Sequence, residues 1–201
     1  MNKKKILITG SSGFIGSAIV EQLKQSDYQV FLSTRKKSEV VDGSVIFIDL
    51  LKPETIIGLS DKHNFDIIVH FGAQIGWTDK DEKVMLMSNI ISTSLLASEA
   101  MKMESKLIFA STVIVHGVCT ENIDIDSAIN PDTYYAKSKW LAEELIRMSG
   151  VNHCILRIGG VFGLNGPTHL GLNRTISEVI KKISPKIYGD GSAKRNYIYL
   201  W

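Results

Sequence analysis

Cysteine and net charge are the two things this chain of 201 residues has least of. Cys119 and Cys154 are its only cysteines, and they make neither a disulfide framework nor a zinc-type spacing. The histidines His63, His153 and His169 add no ligand pattern, so no metal is expected. Lys plus Arg number 23 against 21 Asp plus Glu, a formal net charge of +2 that offers no electrostatic footprint for nucleic acid or an anionic membrane. No uninterrupted apolar run approaches the ~18 residues of a bilayer span. The short apolar stretch after Lys3-Lys4-Lys5 ends at Thr9-Gly10, too soon for a secretory signal and with no cleavage site behind it. These absences predict a reduced, cytoplasmic protein without a nucleic-acid or membrane partner.

What is present is ordinary globular material: 44% hydrophobic and 22% charged residues, which excludes disorder. The length suits one domain and part of a second. Short β-branched runs at Lys5–Thr9, Gln29–Ser33, Val45–Ile48, Asp66–Phe71, Lys106–Ala110 and Asn152–Ile158 read as strands. They alternate with helical patterns near Gly13–Gln25, Val84–Met103 and Asp132–Ser149. Alternation of this kind predicts a three-layer α/β Rossmann fold with a parallel sheet, its strands apolar on both faces. The methionines Met85, Met87, Met101 and Met103 read as core or helix contact. After Gly163 the composition changes, with Asn165-Gly166-Pro167, a helix near Leu172–Ile183, a turn at Gly189-Asp190-Gly191-Ser192 and an apolar run to Trp201. The expected division is a dinucleotide-binding domain over 1–163 and the start of a small substrate-binding lobe over 164–201.

The loop Thr9-Gly10-Ser11-Ser12-Gly13-Phe14-Ile15-Gly16 follows the first strand and opens the first helix. In that setting Gly10 serves the tight turn, Gly13 the approach of a pyrophosphate and Gly16 the packing of helix on sheet. Phosphates would meet the free N–H groups of the helix start, with Ser12, Phe14 and Ile15 around them. The second strand ends in Leu32-Ser33-Thr34-Arg35-Lys36-Lys37, with no carboxylate for a ribose 2′-hydroxyl. Arg35, beside Thr34, suits a 2′-phosphate by a charge-assisted contact, so NADP is expected over NAD.

Tyr135-Ala136-Lys137-Ser138-Lys139 completes a recognisable series. The chain resembles an extended short-chain dehydrogenase/reductase of the NAD-dependent epimerase/dehydratase family, whose members act mainly on nucleotide sugars. The resemblance runs in order: Gly10, Gly13 and Gly16; Asp49-Leu50 at the adenine; His70-Phe71-Gly72-Ala73-Gln74 beside the cofactor; Asn89; Phe109-Ala110-Ser111-Thr112; Tyr135 and Lys139; and Arg195 after Gly189-Asp190-Gly191-Ser192. It implies a catalytic group of Thr112, Tyr135 and Lys139. It implies cofactor contacts at Asp49, Leu50, Phe71, Gly72, Ala73, Asn89 and Ile158, and substrate contacts at Gln74, Val113, His116, Gly160 and Arg195. It also implies a homodimer through Val84–Met103 and Asp132–Ser149.

Chemistry agrees with the central trio. Tyr135 and Lys139 stand four apart on one helix face. A tyrosine titrates near 10 unperturbed, and a neighbouring ammonium is expected to lower that. Thr112, at a strand end where open α/β sheets bind ligands, can hydrogen-bond the oxygen whose proton Tyr135 exchanges. Ser111 reads as support for the strand end, and Tyr134 as packing or substrate-lining.

Departures narrow the reaction. Where 4,6-dehydratases of the family carry Asp-Glu after the threonine, this chain has Val113 and Ile114, which disfavours dehydration. His116 replaces a common tyrosine and reads as packed or substrate-lining. Arg157-Ile158-Gly159-Gly160-Val161-Phe162-Gly163 lacks the family's usual Pro and Asn there. Compared with the family, roughly the last third is expected to be absent. The expected function is NAD(P)-dependent oxidoreduction at a sugar hydroxyl or keto carbon, as epimerase or 4-keto reductase. The alternatives are a truncated, non-catalytic dinucleotide-binding fragment and a reductase of small non-sugar carbonyls.

Overall fold

Strand-forming runs and their spacing set the frame of the molecule, and a computed structural model describes it over residues 3–37, 43–76, 81–117, 122–186, 189–190 and 194–200. Six strands form one sheet: β1 (Lys5–Thr9), β2 (Gln29–Thr34), β3 (Val45–Phe47), β4 (Ile67–His70), β5 (Lys106–Thr112) and β6 (His153–Ile158). Their order is β3-β2-β1-β4-β5-β6, with β1 parallel to both β2 and β4. This is the doubly wound Rossmann order. The chain reverses direction across the sheet between β1 and β4, and a ligand crevice belongs outside their carboxyl ends.

Alternation along the central strands sorts the core into two layers. Leu7, Phe31, Ile68, Leu107 and Phe109 point to one face, where they meet Leu96, Ala97, Ala100, Ala142 and Ile146. Those five lie on α4 (Ser92–Lys102) and α5 (Tyr134–Ser149). Ile6, Ile8 and Val69 point to the other face, against Ile19, Val20 and Leu23 of α1 (Phe14–Leu23). Burial on both faces holds for the central strands but not for β6, where Leu156 is exposed.

Helix ends follow local chemistry. Thr133 caps α5 by accepting the Ala136 N–H at 3.1 Å, and Gly150 ends it in the left-handed region. A short α2 (Leu59–Lys62) precedes β4. The second long helical pattern starts earlier than expected, at α3 (Glu82–Met85), and passes through a π-helical turn, Leu86–Ile91, into α4. Over Glu82–Lys102 it is long and apolar enough by composition to cross a bilayer, which a count of uninterrupted apolar residues misses. Half of that stretch is buried inside the protein, and Ser88, Asn89, Ser92, Thr93 and Glu99 are buried along it. It packs as the core helix of an α/β layer. Met85 is buried and Met103 lies against the core, whereas Met101 is exposed.

By contacts the chain divides into residues 1–157 and 158–201. This boundary precedes the expected one after Gly163, because β7 (Gly160–Phe162) pairs in parallel with β8 (Tyr197–Tyr199) in a separate two-stranded sheet. Within that second unit, Asn173 on α6 (Gly171–Ile180) donates to the Val161 carbonyl and accepts from the Gly163 N–H, both at 3.1 Å. The helix expected to reach Ile183 ends at Ile180, and Lys182 adopts φ 59°. Cys119, Gly191, Ser192 and Trp201 fall outside the described residues.

The first helix depends on an absent side chain. A Cβ on Gly16 would stand 2.2 Å from the Gly10 carbonyl oxygen, a backbone atom. Gly16→Ala should therefore cost about 1–3 kcal/mol of stability, read as a lower urea midpoint.

Candidate active site

The loop after β1 opens a cleft of about 600 Å³ at the carboxyl ends of the strands. Gly10, Ser12, Gly13, Thr34, Arg35, Asp49, Leu50, Phe71, Gly72 and Ala73 line it, together with Gln74, which the motif reading had placed on the substrate side. Gly10 has φ +70°, and a Cβ there would lie 2.6 Å from Gly72 N, so the turn is glycine-only on two counts. Gly13 is the N-cap of α1; no side chain caps this helix start and no acid lies in its first turn. Its free N–H groups and positive dipole end fit a phosphate. Ser11, Ser33, Lys36, Ile48 and Leu51 also line the cleft. Sequence reading missed them because they flank the motif positions. Phe14, Ile15 and Gly16 form the first turn of α1 and are not among its lining residues. A second hollow, of about 460 Å³, lies by Lys5 and Phe65 at the opposite strand ends and holds none of the motif residues.

Beneath the cleft, Thr9 Oγ1 accepts the Gly72 N–H at 3.3 Å and lies 2.5 Å from His70 Nδ1. His70 Nε2 is 2.9 Å from Thr93 Oγ1. Burial first, and the Lys139 charge second, hold His70 down to about 3, so this bridge between β1, β4 and α4 is neutral. Asn89, expected at the cofactor, is committed elsewhere. Its amide donates to the Gln74 carbonyl at 2.8 Å and to Ser138 Oγ at 3.0 Å, and it accepts the Gln74 N–H at 2.8 Å. It fixes the cleft wall to α5 from a fully buried position.

Thr112 ends β5, two residues further than the sequence suggested, and its hydroxyl caps the next turn, Val113–His116. Val113, the first residue of that turn, is half-buried. Tyr135 and Lys139 lie in α5, with Lys139 Nζ 4.0 Å over the Phe109 ring. The cation rests on an aromatic face, and no described group hydrogen-bonds it. Burial pushes the Tyr135 phenol up to about 12, opposite to the expected lowering. Burial also pushes Lys139 down to about 7, with Glu143 opposing. Desolvation disfavours both charged forms.

His116 is packed rather than substrate-lining. It is 2% exposed, with Nε2 3.1 Å from Arg157 Nη1 and Nδ1 3.0 Å from the Ala128 carbonyl. Ser111 supports the strand end as expected, donating to the buried Glu143 carboxylate. That carboxylate also takes Arg147 and Arg157, a cluster no motif announces. Ile158 ends β6. In the second unit Gly160 stands against the Tyr197 ring and Arg195 is exposed. Among the described residues no cluster of His, Cys, Asp and Glu could hold a metal.

Comparison with known proteins decides the affiliation. The NAD dependent epimerase/dehydratase family model matches residues 6–200. The chain belongs to this family. Its enzymes are of the short-chain dehydrogenase type. A Methanocaldococcus jannaschii protein provisionally named UDP-glucose 4-epimerase is 30% identical over 97% of the chain, which spans 69% of that relative. A UDP-N-acetyl-alpha-D-glucosaminuronate decarboxylase of Bacillus cytotoxicus is 29% identical over 98% of the chain and is spanned to 68%. The solved UDP-glucuronic acid 4-epimerase from Bacillus cereus, in complex with UDP-glucuronic acid and NAD, superposes with a TM-score of 0.79 at 26% identity, covering 98% of this chain and 69% of its own.

The Lys139 burial gives a signed pH effect. Folding lowers its value from 10.5 to about 7. Between these values the unfolded chain binds the proton and the folded chain does not, so this group's contribution to stability rises with pH across the window. Lys139→Met should stabilise the protein most below the folded value. From about pH 6 to about pH 10 that gain should shrink by more than about 2 kcal/mol, measured by urea denaturation at each pH.

Proposed function

We propose that this family member carries out NAD(P)-dependent oxidoreduction at the C4 hydroxyl or keto carbon of a nucleotide sugar, as a 4-epimerase. One observation carries the reading: the glycine-turn cleft is held, through Gln74, Asn89 and Ser138, against the helix that bears Tyr135 and Lys139. The UDP-sugar names and bound NAD of the relatives support the substrate and cofactor class. The uncapped start of α1 and the Lys139 ammonium, which no described group hydrogen-bonds, fit the phosphates and hydroxyls of a dinucleotide.

When bound, the nicotinamide would supply the hydride acceptor and donor. The protein's part is the proton. Tyr135, with its value near 12, holds its phenolic proton at neutral pH and is an acid toward a sugar alkoxide. To act as base toward the hydroxyl it needs a cation beside it, which is the role of Lys139 in its charged form. Thr112 would share the same substrate oxygen through its hydroxyl, and Val113 and Ile114 supply no further proton-transfer group.

A 4-keto reductase is the second reading. Arg35 and Lys36 on the cleft, with no carboxylate at the end of β2, support NADP and net reduction. Side-by-side titration with NADH and NADPH separates the two: stronger NADPH binding that Arg35→Ala weakens about tenfold or more supports the reductase, and equal or stronger NADH binding supports the epimerase. Tyr135→Phe should lower turnover at least about 100-fold while leaving cofactor binding in place. Retention of full turnover sinks the proposed role of Tyr135.

The homodimer belongs to the same proposal. Met101 on α4, with Leu141 and Met148 on α5, is exposed and apolar, which supports association through these helices. Light scattering should give twice the chain mass, and Leu141→Glu should return it to the monomer value.

A further inference from the structure

Glu143 is fully buried and lies one helical turn beyond Lys139, as Lys139 lies one turn beyond Tyr135. Residues four apart share a helix face. Its carboxylate accepts from Ser111 Oγ, from Arg147 Nη2 at 2.9 Å and from Arg157 Nη2 at 2.7 Å. Arg157 Nη1 reaches on to His116 Nε2 at 3.1 Å. Ser111 precedes Thr112 in β5, and His116 closes the turn that follows it. One carboxylate therefore grips both ends of the segment that presents Thr112, directly at Ser111 and through Arg157 at His116. It does so from the helix that presents Tyr135.

We propose that Glu143 is a positioning residue of this site, one that favours the charged form of Lys139 and fixes Thr112 relative to Tyr135. The proposal rests on the reading of Thr112, Tyr135 and Lys139 as the reacting group. Among the described residues, the groups facing Lys139 are few. Tyr135 and Glu143 share its helix, the neutral His70 lies on β4, and the Phe109 ring of β5 lies under the ammonium. Arg147 and Arg157 sit beyond Glu143 and are cations. Glu143 is thus the anion among these described groups, and its field opposes the burial that lowers Lys139. Stability alone is a poor account of such a cluster, since a buried ion pair is often matched by apolar packing.

The test is the titration of Lys139 itself, followed by NMR in protein labelled with carbon-13 at the lysine Cε positions. The Lys139 signal is assigned by its loss in Lys139→Met. Glu143→Gln should lower the midpoint by roughly one pH unit or more. Arg147→Met keeps the carboxylate and removes one of its counter-cations, so it should raise the midpoint. A purely structural cluster would weaken folding in both variants without moving the midpoint in opposite directions. An unchanged midpoint in folded Glu143→Gln overturns the proposal, as do shifts of the same sign. If Glu143→Gln does not fold, Arg147→Met decides alone: an upward shift supports the proposal, and an unchanged or lower midpoint overturns it. The readout uses no substrate, so it fails or succeeds separately from the turnover measured with Tyr135→Phe.

Discussion

The close approach of two backbones at the sheet's reversal point governs the rest of this structure. Where β1 ends, Gly10 lies so near the exit of β4 that a Cβ would meet Gly72 N at 2.6 Å. That contact brings the start of α1 over the sheet, leaves its N–H groups uncapped and creates the cleft between the loops after β1, β2 and β4. Buried below it, Thr9, His70 and Thr93 tie strand to strand to helix with a neutral ring. A charged histidine there would have to be desolvated beside Lys139, which is why a low value and a buried bridge go together.

Burial works against the chemistry at the second half of the site. It raises the phenol and lowers the ammonium, so it disfavours the charged form of each. The spacing of Tyr135 and Lys139 predicts mutual activation because it counts attraction between charges and leaves out the cost of removing each from water. Which effect wins depends on depth in the structure, and a four-residue interval carries no information on depth.

Other parts were legible for physical reasons. The six strands and their parallel arrangement follow from the apolar runs and their spacing, and β1 spans the very residues expected. The glycine turn is readable because sterics leave no alternative residue. Hydrogen-bond destinations are the opposite case. Motif position puts Asn89 at the cofactor and leaves His116 packed or substrate-lining, and the polar atoms of both are spent on Gln74, Ser138, Ala128 and Arg157. The Glu143 cluster was invisible because its members come from three separated segments joined only by folding. β7 was missed because Gly160–Phe162 reads as loop until Tyr197–Tyr199 is beside it.

The π-helical turn Leu86–Ile91 has a consequence for how this chain tolerates changes in length. Such a turn holds one residue more than an α-helical turn would. The helix therefore stores a spare residue at the point where Asn89 grips the Gln74 backbone. Deleting one residue here would restore regular winding without breaking the helix. It would also change the facing of the residues within the turn, Asn89 among them, while the helix on either side kept its phase. The core contacts of Leu96 and Ala100 and the buried position of Met85 would survive. Secondary structure would look intact, and the wall of the cleft would have lost its anchor.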